Sequence, residues 1–65
     1  MTMIVGGIEV HAFDAEIAYR TQACWFAPGT WVPVTDKDGN LIAEFSRKLD
    51  GAGNLIEVLR RDGNV

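Results

Sequence analysis

Apolar residues in this chain alternate with polar ones over short runs, and turn-forming residues separate the runs. Met3-Ile4-Val5 and Ile8-Glu9-Val10 flank Gly6-Gly7. Two β-prone segments around a Gly-Gly pair predict a tight hairpin, because both central positions of a type I′ turn need positive φ. The first run is short enough to be only an edge. Asp14 then offers its carboxylate to the free amides of a helix start, Glu16 adds favourable charge in the first turn, and Phe13 stands where a hydrophobic staple begins. The alanine-rich stretch that follows holds no Gly or Pro before Pro28-Gly29, which predicts a helix over 15–26. Ile17, Ala18, Thr21, Cys24 and Trp25 form its expected inward stripe.

Beyond Pro28-Gly29 the period changes to that of strands. Runs at 31–35, 41–48 and 55–61 are joined through Asp36-Lys37-Asp38-Gly39-Asn40 and Asp50-Gly51-Ala52-Gly53-Asn54. Pro33 marks the first of them as an edge or a bulge. The expected fold is therefore α+β: a small antiparallel sheet, built from an N-terminal hairpin and a C-terminal three-stranded meander, with one helix packed on it. Residues 1–65 read as a single domain without a linker.

Pairing Leu49 with Asn54 puts Ala43, Phe45, Arg47, Ile56, Val58 and Arg60 on one face. Ile42, Glu44, Lys48, Leu55, Glu57, Leu59 and Arg61 fall on the other. Both faces carry large apolar side chains, yet only one helix is available to cover them. The more charged face is expected to stay open as a dimer or partner surface.

Composition narrows the function. Hydrophobic residues are 48% and charged residues 23%, the balance of an ordinary globular domain. A chain this short buries only about 60% of its unfolded surface and has little room to enclose a catalytic cleft. Nine acidic residues against six basic ones give a net charge of −3, which argues against direct nucleic-acid binding. One cysteine, Cys24, excludes a disulfide framework and a multi-cysteine zinc site. The N-terminus has no basic region and its apolar run is too short for a signal peptide, and no run approaches a membrane span. A cytoplasmic protein without membrane contact is the expectation, as a monomer or homodimer.

The motifs that could carry chemistry are incomplete. Asp36-Lys37-Asp38-Gly39-Asn40 opens like a calcium-binding EF-hand loop, but Leu41 stands where the sharp turn needs glycine and Arg47 where the bidentate glutamate belongs. A plain Asp/Gly/Asn turn accounts for it better. His11 and Cys24 would suffice as a thiol–imidazole dyad only if strand and helix bring them together. Ser46 lacks a nucleophile elbow, and the glycines have no phosphate-cradling spacing. No catalytic residue, metal ligand or cofactor is assigned, and the chain is read as a non-enzyme.

Gly39-Asn40-Leu41-Ile42 recurs as Gly53-Asn54-Leu55-Ile56, and Gly63-Asn64-Val65 follows the same style. The echo resembles the tyrosine–aspartate repeats of large secreted toxins, whose units carry a Gly-Asn-Leu turn. The repeat tyrosine is missing, and two copies are too few to form that shell, so the echo reads as reuse of one hairpin turn.

As a whole, the short length, the −3 charge and the lack of a catalytic constellation resemble the small anti-CRISPR proteins of phages and other mobile elements. That resemblance implies an inhibitor of a host defence complex, which binds a CRISPR effector and blocks its recruitment of target DNA. Asp36, Asp38, Glu44 and Glu57 would compete for the lysines and arginines that grip phosphate, and Trp25 and Trp31 would anchor the contact. The alternative is a small phage structural or assembly protein, or a homo-oligomeric module. A toxin–antitoxin or host-regulator partner is the third reading.

Overall fold

A computed structural model describes residues 1–62; Gly63-Asn64-Val65 lies outside the described residues. One helix packs on a five-stranded antiparallel sheet of order β2-β1-β3-β4-β5. The strands are β1 (Thr2–Val5), β2 (Ile8–His11), β3 (Val32–Asp36), β4 (Leu41–Leu49) and β5 (Leu55–Asp62), and the helix α1 spans Ala15–Gln22. The α+β class expected from the sequence is the one observed.

The first hairpin turns at Gly6 (φ +53°) and Gly7 (φ +92°), the conformation a two-residue turn demands. β1 is not an edge, however. It lies between β2 and β3, with Met3 opposite Asp36 and Val5 opposite Val34. β3 is interior too, despite Pro33. The Pro33 carbonyl accepts from the Gly6 amide at 2.9 Å, just where β1 has given way to its turn. The N–H that proline lacks would point the same way, toward the turn, so the ladder with β4 loses no bond.

Asp14 caps α1 as its side chain predicts, accepting from the Ile17 amide at 2.9 Å. The α-helix ends sooner than the sequence suggested, passing at Ala23–Trp25 into a 3₁₀ turn. Its buried residues are Ala15, Ala18 and Tyr19. Ile17, Cys24 and Trp25 are exposed instead, and so is Phe13, at 93%. The inward stripe thus runs through Ala15, Ala18 and Tyr19, at the i, i+3, i+4 spacing of one helix face. The tighter 3₁₀ turn breaks the phase that would have carried Cys24 and Trp25 inward. Phe26 packs against the core margin in their place.

That core joins Met3, Val5, Val10, Val32, Val34, Ala43 and Phe45 from the sheet to the helix residues. Tyr19 and Phe45 stack with centroids 5.4 Å apart. Burial pushes the Tyr19 phenol above its ordinary pKa, partly opposed by the nearby Arg47 charge.

The two turns of the meander are built alike. Asp36 Oδ1 accepts from the Asp38 and Asn40 amides, each at 2.9 Å. Asp50 Oδ1 accepts from Ala52 at 2.8 Å and Asn54 at 2.9 Å. Gly39 and Gly53 both have positive φ, +89° and +86°. A bulge follows each turn: Thr35 pairs with Leu41 while Val34 pairs with Ala43, and Leu49 pairs with Leu55 while Lys48 pairs with Glu57. Ile42 and Ile56 are the extra residues. The seven-residue unit Asp-x-x-Gly-Asn-Leu-Ile therefore encodes a turn and its bulge together.

These amide hydrogen bonds hold the Asp36 and Asp50 carboxyls below the ordinary carboxylate range. With the folded pKa depressed, their stabilising contribution is complete above the unfolded value of about 3.9 and is lost as pH falls through the lower folded value. The Asp36→Ala/Asp50→Ala double variant is expected to melt lower at neutral pH and to show a shallower acid limb. Thermal melts between about pH 2 and pH 7 would check this; an unchanged acid limb would assign that limb to other carboxylates.

Candidate functional site

Strand alternation divides the sheet into a covered and an open face. The helix contacts β1 through β4 on the side of Val5, Val34 and Phe45. The open face shows Glu44, Ser46 and Lys48 of β4 opposite Arg61, Leu59 and Glu57 of β5. The register differs by two residues from the Leu49–Asn54 pairing, since Phe45 faces Arg60 and Arg47 faces Val58. A shift of two preserves the faces, so the charged Glu44, Lys48, Glu57 and Arg61 fall together with Leu59 as expected. Leu55 and Ile42 are the corrections. The bulge at Ile56 moves Leu55 opposite Leu49, beside the helix-side groove, and Ile42, the bulge residue of β4, packs against the core.

Trp31 precedes Val32, which pairs with Phe45. Alternation therefore puts the Trp31 indole on the open face beside Ser46. There it borders a shallow hollow of about 320 Å³ with Pro28, Ser46, Lys48 and Leu59, and Ser46 is only 1% exposed. The Arg61 guanidinium lies over the indole, 4.2 Å from the ring centroid. Its Nε donates to Glu44 Oε1 at 3.0 Å. Trp31, Arg61 and Glu44 thus form a stacked, ion-paired group in which the ring and the carboxylate hold the arginine together.

The other expected contact residues do not join this group. Trp25 is 73% exposed and belongs to the helix layer, so the two indoles do not make one patch. Asp36 is occupied within its turn, where Oδ2 also accepts from Asn40 Nδ2 at 3.1 Å. Asp38 projects from that turn, exposed. Glu57 stands opposite Lys48, and no lysine or arginine nitrogen comes within 4.0 Å of its carboxylate among the described residues. Of the four acids singled out, Asp36 and Glu44 are engaged internally, while Asp38 and Glu57 remain available to another molecule.

Arg61 and Leu59 were expected on this face but not as contact residues, and Ser46 was weighed only as a nucleophile. The signal for Arg61 was the register. Once the repeated turn is known to carry a bulge, Arg61 falls opposite Glu44.

A second hollow, of about 440 Å³, opens on the helix side between Tyr19, Cys24, Arg47, Leu49, Leu55 and Val58. Arg47 donates from Nη2 to the Phe26 carbonyl at 3.0 Å, and its buried Nε has no partner. His11 is remote from this groove. It pairs with Thr2, whose Oγ1 lies 3.0 Å from His11 Nδ1, and it points to the open face, so His11 and Cys24 do not form a dyad. No group of three or more metal-binding side chains occurs among the described residues. No helix among them is long and apolar enough to cross a membrane. No protein-family model, no curated protein and no solved structure matches this chain.

Proposed function

We propose that this chain is a non-catalytic binding domain that engages another protein through the open face of its sheet. Within that class, we read it as a small acidic inhibitor of a host defence complex of the CRISPR-effector type. The observation that carries the reading is the Arg61 guanidinium held between Trp31 and Glu44 on a face no helix covers. Tryptophan and arginine dominate interface hot spots because they combine large buried area with little further ordering on binding. Here the arginine is already positioned. The free carboxylates Asp38 and Glu57 and the −3 net charge suit a basic partner surface of the kind that grips phosphate.

The test is a competition. Wild-type protein is titrated into purified CRISPR effector complex with fluorescent target DNA, and DNA capture is expected to fall at near-stoichiometric ratios. Trp31→Ala and Arg61→Ala should each weaken that effect about tenfold or more while the far-ultraviolet circular dichroism stays native. Undiminished DNA capture at high excess would remove the inhibitor reading. Inhibition by wild type that survives Trp31→Ala would place the contact elsewhere on the molecule.

A further inference from the structure

The outer edge of β5 has no partner strand among the described residues. It spans eight residues, contains neither proline nor lysine, and begins with Leu55 and Ile56, which are 49% and 55% exposed. Four charged residues and the Ile56 bulge restrict this edge, so its unpaired backbone groups at 57–62 suit only a strand whose charges complement them. The other edge, β2, offers only four residues.

We propose that two copies of this chain pair antiparallel through β5, about a two-fold axis at Leu59, to make one continuous sheet. This inference shares Arg61 with the partner surface proposed above, and cross-linking at position 59, which leaves Arg61 intact, separates the two. Residues directly opposite in a continuous sheet share a face, so the axis must pass through a residue. The Ile56 bulge confines regular pairing to 57–62. An axis at Arg60 sets Arg60 against its own copy, a like-charge contact. An axis at Val58 sets Glu57 against Leu59 and leaves the carboxylate without a cation. An axis at Leu59 sets Glu57 opposite the second copy's Arg61, twice by symmetry.

Charge complementarity then extends across both sheets. Within one chain Glu44 faces Arg61 and Lys48 faces Glu57. With the axis at Leu59, the row across the junction reads Glu44, Arg61, then Glu57 and Lys48 of the second copy, alternating in sign at every step. The symmetric row does the same. Glu57, which has no close cation in the monomer, gains one, and Arg61 is shared between Glu44 and the incoming carboxylate. Its side chain is half-exposed, so an incoming carboxylate can reach the guanidinium while it stays on Trp31 and Glu44.

Sedimentation or light scattering from about 10 µM to about 1 mM covers the range in which so small an interface dissociates. The mass is expected to rise from 7.1 kDa to twice that value, less readily at high salt. Glu57→Lys and Arg61→Glu each convert both junction pairs to repulsion and should each dimerise at least about tenfold more weakly. Mixed in equal amounts, the two should dimerise again, because Lys at 57 of one then faces Glu at 61 of the other. Leu59→Cys in a Cys24→Ser background should oxidise readily to a covalent dimer, whereas Val58→Cys should not. This second readout holds even if a charge variant folds poorly. A wild type that stays monomeric throughout, a mixture no better than its components, or equal cross-linking at 58 and 59 would each overturn the proposal.

Discussion

Phe45→Ala is expected to leave most of the protein unfolded at physiological temperature. Phe45 is fully buried at the centre of the sheet's covered face, stacked on Tyr19 and roofed by the Arg60 guanidinium, 5.5 Å from its ring centroid. Removing a buried phenylalanine costs about 3–5 kcal/mol in lost transfer energy and residual cavity. A chain of this length has in total roughly 3–10 kcal/mol to lose. One eight-residue helix cannot move far enough to fill the space, because Ala15 and Ala18 already bring it close to the sheet. Urea titration followed by circular dichroism reads the effect as a lowered midpoint or as no folded baseline at all. Trp25→Ala is the control. At 73% exposure this larger side chain should change stability by no more than about 0.5 kcal/mol. Equal losses from the two substitutions would mean that Trp25, not Phe45, helps close the core.

The contrast shows which parts of the fold were legible from local chemistry. Asp14 as a cap, Gly6-Gly7 as a turn and the repeated Asp-x-x-Gly-Asn turn each act within a few residues, and each stands where its side chains predict. Parity was legible too along the regularly paired runs, since a two-residue error in register preserves the faces there, and it failed only beside the bulges, at Leu55 and Ile42. Positions set by distant parts of the chain were harder to read. β1 is interior because β3, about thirty residues later, docks on it through Val5–Val34 and Met3–Asp36. Pro33 is tolerated inside the sheet because β1 ends beside it, a fact no local window contains. Trp25 and Phe26 are adjacent aromatics, and only the change from α to 3₁₀ winding decides which one faces the sheet.

The candidate site divides along the same line. Glu44 and Glu57 were legible as members of one strand face, because alternation alone puts them there. The stacking of Arg61 on Trp31 joins residues thirty positions apart and needs both the β3–β4 and β4–β5 registers. Each of those registers carries a bulge. The repeated Leu-Ile after each turn was the available clue, and its meaning emerges only when both copies leave their isoleucine unpaired. The repeat thus sets how the sheet is wound and, through the winding, which charges meet on its open face.

The first hairpin supplies the second large expected effect, Gly6→Ala at about 2–4 kcal/mol. Gly6 and Gly7 both have positive φ, so alanine is strained at either position, but their surroundings differ. A Cβ on Gly7 meets nothing within 4 Å, whereas one on Gly6 lies 2.5 Å from Phe26 Cζ and 3.2 Å from Val32 Cγ1. Phe26 has little freedom to retreat. Its amide donates to the Ala23 carbonyl, its own carbonyl accepts from Arg47, and its ring rests on the core margin. Gly7→Ala should therefore cost only the conformational strain, about 1–2 kcal/mol, and the excess at Gly6 measures the contact with the ring. A double-mutant cycle with Phe26→Leu checks this by chemical denaturation. The shorter side chain should relieve the alanine, so that the pair together costs about 1 kcal/mol less than the two changes added. Strict additivity, with Gly6→Ala no worse than Gly7→Ala, would mean that the ring slides aside freely. Phe26 would then not be what closes this end of the core.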